Sequence, residues 1–440
     1  MPKLKKLPLF FSLFSIFPTI ANSFTLLDAW QAALGYSADF SAAKHERDAE
    51  SEKKNQARAE LLPQVNANAT YQKQPYSLSS NTQSRGWNVQ ATQVLFDRSL
   101  FAQYKQGKIN AEMADARLYG SEDELRINVA KAYFDILLNK DKLAAITEEK
   151  SAYARQLQRA QEMFKQGAAT ILDTNEAKSG YDAALAKEIS TLAQLQVAEN
   201  TLANLTGLDP SQISPVKSDK NLADFLGESQ EQEWQALAEQ HNPEWQLQRK
   251  TLENATQAVK AAKGSRLPTL TVNGGYQDDH STYRQEYYGG SSDLTYRSKG
   301  GMFNVQLRVP LFTGGKISSQ IREAVAREMQ NKDLLTATER KVQLEVRQAY
   351  QTTRSSKIQT LAQQRLLESN QAKLEATLLG RQVGVRNNLE ETQAQQEKAD
   401  AEQKLAEAKY TYIQAYLKLL QSAGVLGDEE RIRRVGMLLF

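Results

Sequence analysis

The sequence predicts a mainly α-helical protein with a small β component, in which a unit of two amphipathic strands feeding a long helical hairpin occurs twice. Three observations predict it. Trp87-Asn-Val-Gln-Ala-Thr-Gln-Val-Leu-Phe-Asp97 returns as Phe303-Asn-Val-Gln-Leu-Arg-Val-Pro-Leu-Phe-Thr313 with five of eleven positions identical. Residues 62–71 return as 267–276 with four of ten identical, so each repeat carries two strand-like stretches. Proline-free runs then follow, residues 99–166 and 317–383. Internal duplication has to be settled before any other reading, because each repeat is one supersecondary unit.

In chain order, Lys3, Lys5 and Lys6 precede an apolar run over residues 7–20 and the small-x-small site Ala21-Asn22-Ser23. This is the pattern of a secretory signal peptide, residues 1–23, with cleavage near Ser23/Phe24. No later stretch is long and apolar enough for a helical membrane span, so entry into a bilayer would require strands. Mean hydropathy is −0.59, which favours elongated structure over thick cores. The 55 basic residues nearly balance 52 acidic ones, and without the three lysines of the leader the balance is 52 to 52. A neutral chain with dispersed charge argues against nucleic acid as partner. There is no cysteine, which excludes disulfides, thiolate metal sites, cysteine catalysis and a lipidated N-terminal cysteine.

Residues 25–61 predict one polar, alanine-rich helix ending before Leu62-Pro63. In the strand that follows, Val65, Ala67, Ala69 and Tyr71 alternate with Asn66, Asn68, Thr70 and Gln72. The second strand of each repeat alternates likewise, Trp87/Val89/Ala91 against Asn88/Gln90/Thr92 and Phe303/Val305/Leu307 against Asn304/Gln306/Arg308. Residues 72–86 and 277–302, rich in polar residues and glycine, predict exposed loops between paired strands. Strands of this kind have the length and pattern of a transmembrane barrel around a wet lumen, although the alternation taken alone favours a half-buried sheet in a soluble protein. In the membrane case four strands cannot close a barrel, and open edges are not tolerated in lipid, so several copies of the chain must share one.

The run over residues 99–166 would reach ~100 Å as a continuous helix. Leu125, Val129, Ala132, Ile136, Leu143, Ile146, Tyr153, Leu157, Ala160 and Phe164 fall on two seams of one heptad frame, interrupted by Asn139 and Lys150, which predicts coiled-coil packing. Gly120 fits either the interior of that helix, at a cost of about 1 kcal/mol, or a joint between coaxial helices. A break at Gly167 and a return over 169–206 complete the hairpin; a break at Gly384 and a return over 388–423 complete its counterpart. The predicted organisation is a leader over 1–23, a first repeat over 24–207, an equatorial linker over 208–242, a second repeat over 243–424 and a C-terminal equatorial segment over 425–440.

The catalytic inventory is poor. His45, His241 and His280 stand far apart without ligand spacing, and Gly300-Gly301 and Gly314-Gly315 lack a phosphate-loop context, so they read as flexible strand ends. Nothing points to bond-making chemistry, a metal or a cofactor.

Several short motifs, in this order, duplicated and behind a signal peptide, resemble the TolC family of trimeric outer-membrane channel-tunnel proteins. They are Leu61-Leu62-Pro63-Gln64 with Arg266-Leu267-Pro268-Thr269, Gln93-Val-Leu-Phe-Asp97 with Val309-Pro-Leu-Phe-Thr-Gly-Gly315, and Ala132-Tyr133-Phe134 with Ala349-Tyr350. Gly167-Ala-Ala-Thr-Ile-Leu-Asp173 with Gly384-Val-Arg-Asn-Asn-Leu-Glu390 complete the set. The resemblance implies a homotrimer in outer-membrane lipid, with a shared 12-stranded β-barrel above a periplasmic α-barrel of coiled-coil hairpins. It implies a passive exit duct for efflux or type I protein secretion, opened by an inner-membrane transporter through a periplasmic adaptor (membrane fusion) protein. A periplasmic adaptor or coiled-coil scaffold is the rival reading, against which the duplicated strand pairs speak. Carried over residue by residue, the resemblance assigns the periplasmic gate to Asp173 and Arg386, with Arg381 where relatives often carry an aromatic gate residue. It assigns the entrance ring to Glu390 and, three residues on, Gln393, a departure from the second acidic ring of relatives that weakens the expected cation binding.

Overall fold

The computed structural model describes residues 23–77, 80–216, 224–227 and 229–439. The predicted signal peptide, apart from Ser23, lies outside them. After a capping box between Thr25 and Asp28, helix α1 spans Leu26–Tyr36. Ser37 then stops it, with extended backbone, and its hydroxyl accepts from the Phe40 amide to cap α2, Ala38–Ala59. The single helix expected over 25–61 is therefore two, because a serine in extended conformation both ends one helix and starts the next.

The four strands form one antiparallel sheet in the order β1 (Gln64–Ser77), β2 (Ser80–Phe96), β3 (Thr269–Tyr287) and β4 (Gly290–Arg308). They run well beyond the predicted bounds. The polar stretches expected as loops are mostly ladder: Gln72 pairs with Ser84, and the β3–β4 pairing continues unbroken to Tyr287 opposite Gly290. A ladder is held by backbone hydrogen bonds, and polar cross-strand pairs suffice to dress it. Arg284 grips Asp293 with two bonds of 2.8 Å, and the hydroxyls of Thr282 and Thr295 stand 3.2 Å apart. Gly300-Gly301 accordingly lies inside β4 and is no strand end.

Asp97, whose carboxylate accepts from the Ser99 and Leu100 amides, starts α3, an unbroken helix over Arg98–Lys165. It passes through Gly120 without a joint. Gly107 has a packing reason: a Cβ there would stand 2.9 Å from both the Ala57 side chain and the Lys53 carbonyl, so only glycine lets α2 lie this close. The return helix is α4, Ile171–Thr206, after a turn at Gly167 with φ of 74°. The linker supplies a short 3-10 helix over Pro210–Gln212 and α5, Glu231–His241; α6, Pro243–Gly264, leads into β3. The second hairpin is α7 (Lys316–Gln382) and α8 (Asn388–Ser422), and α9 (Glu429–Leu439) follows.

Within the heptad frame of α3, Leu125, Val129, Ala132, Ile136, Ile146, Tyr153 and Ala160 are buried, whereas Phe164 is exposed. Its polar interruptions are satisfied: the Asn139 amide donates to the Asp135 carbonyl at 2.8 Å, and Lys150 binds Glu188 on α4. The thickest core lies at mid-height, where α1, α3, α8 and the linker meet. Phe225 stacks on Tyr416 with ring centroids 4.8 Å apart, and Tyr133, wholly buried, packs edge-on against Phe24 and Phe134. The Tyr133 hydroxyl donates to the Ser214 carbonyl at 2.7 Å, tying the linker to α3. Tyr133→Ala should cost about 3–5 kcal/mol per chain, read as a lower thermal midpoint of the purified protein; an unchanged midpoint would mean that this core carries little of the stability.

Candidate functional site

Two regions hold the candidate residues, the ends of the hairpins and the sheet. At the hairpin ends the sequence places a helix N-cap just after each glycine turn, and both predicted acids serve there. The Asp173 carboxylate accepts from the Thr170 amide and hydroxyl, each at 2.8 Å, which holds its pKa below the usual range. Glu390 accepts from the Asn387 amide at 3.0 Å and from Arg386 at 2.6 Å, and is likewise shifted down, first by the amide and then by the guanidinium. Asp173 and Arg386 thus make no pair with each other inside one protomer; Arg386 faces Glu390 instead. Gln393, one turn along α8, is exposed.

The more enclosed cluster lies one residue from the predicted ring. Glu391, nearly buried, accepts from Arg159 of α3 at 3.1 Å. Arg381 of α7 meets the same carboxylate as a charge contact, with Oε2 accepting no aligned hydrogen bond. Burial, and then the neighbouring Arg159 charge, holds the Arg381 pKa below its ordinary value. Beside them the Gln156 amide donates to the Thr392 hydroxyl at 2.5 Å. Farther along, Lys398 pairs with Glu148, Lys187 with Asp400 and Lys142 with Glu407, at 2.8, 3.8 and 2.6 Å. The two hairpins of one chain are thus stitched by ion pairs between α8 and α3 or α4.

Among the described residues, then, none of Asp173, Arg386 and Arg381 pairs across the two hairpins of one chain: Arg381 meets Glu391 within the second hairpin, and the contact that crosses is Arg159 with Glu391, neither of which spacing or resemblance singled out. A signal for Glu391 was present. Glu391, Ala394, Lys398, Ala401, Leu405 and Ala408 are spaced as heptad seam positions, so a glutamate stands where an apolar residue is expected. Polar residues at such positions imply a partner across the seam, and the partner cannot be read from spacing alone.

In the sheet, partners share a face. One face carries Val65 with Ala91, Gly274 and Phe303, and next to this row Val272 with Val305 and Leu270 with Leu307. Phe303 and Leu307 are 74% and 64% exposed in the single chain, an apolar surface that none of the described residues covers. The other face is an amide ladder: Asn68 donates to Asn88 and Asn273 to Asn304, both at 3.0 Å, and Thr92 donates to Asn273 at 2.9 Å. β1 and β4 are unpaired edges. Among the described residues no helix is long and apolar enough to cross a membrane, and no cluster of side chains could hold a metal ion.

The family model for outer membrane efflux proteins matches residues 29–208 and 234–425, one match for each repeat. The chain is 30% identical over 397 residues to the outer membrane protein TolC of Vibrio cholerae, covering 88% of this chain and 87% of that protein. It is 28% identical to the proteases secretion protein PrtF of Dickeya chrysanthemi, covering 94% and 91%. Among solved structures, the CmeC outer membrane channel of Campylobacter jejuni superposes with a TM-score of 0.76 at 16% identity, covering 94% of this chain and 90% of that one. The adaptor and scaffold alternatives are not favoured. The chain belongs to the outer membrane efflux protein family, and is an outer-membrane exit duct for efflux and/or type I secretion, a channel rather than an enzyme.

Proposed function

We propose that three copies of this chain pool their sheets into one twelve-stranded barrel, with β4 of each copy pairing with β1 of the next. The single observation that carries this is a sheet with one uncovered apolar face, one polar face and two free edges, since lipid tolerates no unpaired edge. The hairpins then form a tunnel in the periplasm. A periplasmic adaptor and an inner-membrane transporter open it and select the cargo, and the duct itself is passive. The mass of the detergent-solubilised particle tests the stoichiometry: a trimer is expected, and a monomer in mild detergent contradicts it.

The closed state rests, on this reading, on the clasp Arg159–Glu391–Arg381 within each copy, with Asp173 of one copy and Arg386 of its neighbour as a further link. The entrance ring is Glu390, repeated by symmetry, with Gln393 adding no charge. Because Arg386 sits 2.6 Å from Glu390, the ring presents ion pairs and its cation preference is weak. Removing the carboxylate in Glu390→Gln unmasks Arg386 and should move the reversal potential toward anions, whereas Gln393→Asp should move it toward cations. The measurement belongs at low salt, since screening at physiological strength reaches beyond about 8 Å. Reversal potentials unchanged in both variants would place Glu390 away from the conduction path.

A further inference from the structure

The register of the sheet segregates charge in a way that the duct does not require. Moving along the apolar face away from the helices, the row Ala67, Val89, Tyr276, Gly301 is followed by Ala69, Trp87, Asp278, Lys299. Next come Tyr71, Arg85, His280, Arg297 and then Lys73, Gln83, Thr282, Thr295. These last three rows hold Lys73, Arg85, Arg297 and Lys299 against one acid, Asp278, which Arg297 already grips with bonds of 3.0 and 2.8 Å. Lys73, Arg85 and Lys299 have no carboxylate within ion-pair distance among the described residues. At the same heights the opposite face carries no basic residue, only Asp279 among polar neighbours such as Gln72, Ser84 and Ser298.

The height of this belt follows from strand geometry. Phe96 stands opposite Leu270 at the helix-proximal margin of the apolar face, and Trp87, beside Tyr276 with ring centroids 5.7 Å apart, marks its far margin. Nine residues at about 3.3 Å each span about 30 Å along the strand. A tilt of about 40° projects this to about 23 Å, close to the ~25 Å apolar band of outer-membrane barrels. The helices, on the periplasmic side, fix which margin faces outward. Arg85 is two residues beyond Trp87 on the lipid-facing side, roughly 5 Å past the aromatic margin by the same rise and tilt, at head-group level.

We propose that Lys73, Arg85 and Lys299 form a docking belt for the phosphate groups of the phosphorylated glycolipids that make up the outer leaflet around the barrel. The chemistry is charge complementarity just beyond the aromatic margin, across three successive rows. Three cations per chain, Lys299 in the row of Trp87 and opposite Asp278, Arg85 in the row of Tyr71 and Lys73 one row farther out, face lipid phosphates while the aromatic rings meet the acyl boundary. The belt would seat the duct in its leaflet and select a diphosphorylated glycolipid over a neutral one. The inference rests on the barrel reading.

The test uses the purified full-length protein in detergent, titrated with diphosphoryl lipid A and with the same lipid dephosphorylated, bound lipid being counted by native mass spectrometry. Wild type should bind the diphosphoryl form at least about tenfold more tightly. The triple variant Lys73→Gln, Arg85→Gln, Lys299→Gln should lose that preference, and the charge-keeping variant Lys73→Arg, Arg85→Lys, Lys299→Arg should retain it. Particle mass and bilayer conductance, recorded on the same preparations, report on the barrel separately. Equal binding of the two lipids by wild type, a preference that persists in the triple glutamine variant, or displacement by millimolar inorganic phosphate or by phosphatidylglycerol at matched concentration would overturn the proposal.

Discussion

Phe303→Arg is expected to remove the protein almost entirely from the outer membrane. Phe303 lies on the apolar face in the row of Val65, Ala91 and Gly274, about midway between Phe96 and Trp87, which places it near the bilayer midplane. An arginine facing lipid at that depth costs about 2–4 kcal/mol per chain, and in a trimer the cost is incurred three times. The whole stability of a folded domain is only about 5–15 kcal/mol, so assembly should fail and not merely weaken. Asn304→Arg, one residue away, points into the wet lumen and should assemble close to wild type. The readout is the amount of heat-modifiable oligomer in outer-membrane fractions. Equal amounts for both arginine variants would mean that the two faces do not see different solvents.

Glu391→Gln should open the duct. The carboxylate neutralises two guanidiniums that come from different helices, Arg159 from α3 and Arg381 from α7; without it they face each other across a half-enclosed space. Exposed pairs are worth about 0.2–1 kcal/mol and breaking a buried one costs about 3–5. A half-enclosed site should fall near 2 kcal/mol per chain, shifting the closed-to-open ratio roughly thirtyfold for each copy. Single-channel conductance and susceptibility to large antibiotics should both rise. Arg159→Gln, removing the more exposed arm, should act in the same direction and more weakly. An intact trimer of wild-type conductance in Glu391→Gln would leave the clasp as a purely structural contact.

Much of the architecture was legible because it follows from local periodicity. The alternation of Asn304 and Gln306 with Phe303, Val305 and Leu307 is a property of the strand alone. The heptad seam from Leu125 to Ala160 and the glycine turns at 167 and 384 are likewise short-range signals. Strand length was not legible: beyond Gln277 the side chains turn polar, composition reads as loop, and the backbone ladder that continues regardless leaves no trace in hydropathy. The break at Ser37 was hidden for a related reason, since a serine fits equally inside a polar helix and at a cap. At the hairpin ends, resemblance pointed to the two glycine turns and to Arg381, which contacts Glu391 within the second hairpin. It could not find Arg159, which lies 232 residues from Glu391 and meets it only once the two hairpins are packed. Nor could spacing reveal that Glu390 is held by its own turn through Asn387 and Arg386, because a capping box and an exposed acidic ring use the same residue.

The central claim, that this sheet separates lipid from a water-filled lumen, is tested most directly by labelling single cysteines placed along β4, which the absence of native cysteine makes clean. Val305→Cys and Leu307→Cys should react with a lipid-soluble maleimide in intact outer membranes and resist a membrane-impermeant one. Asn304→Cys and Gln306→Cys should do the reverse. Reaction of all four positions with the impermeant reagent, or the inverse alternation, would contradict the account.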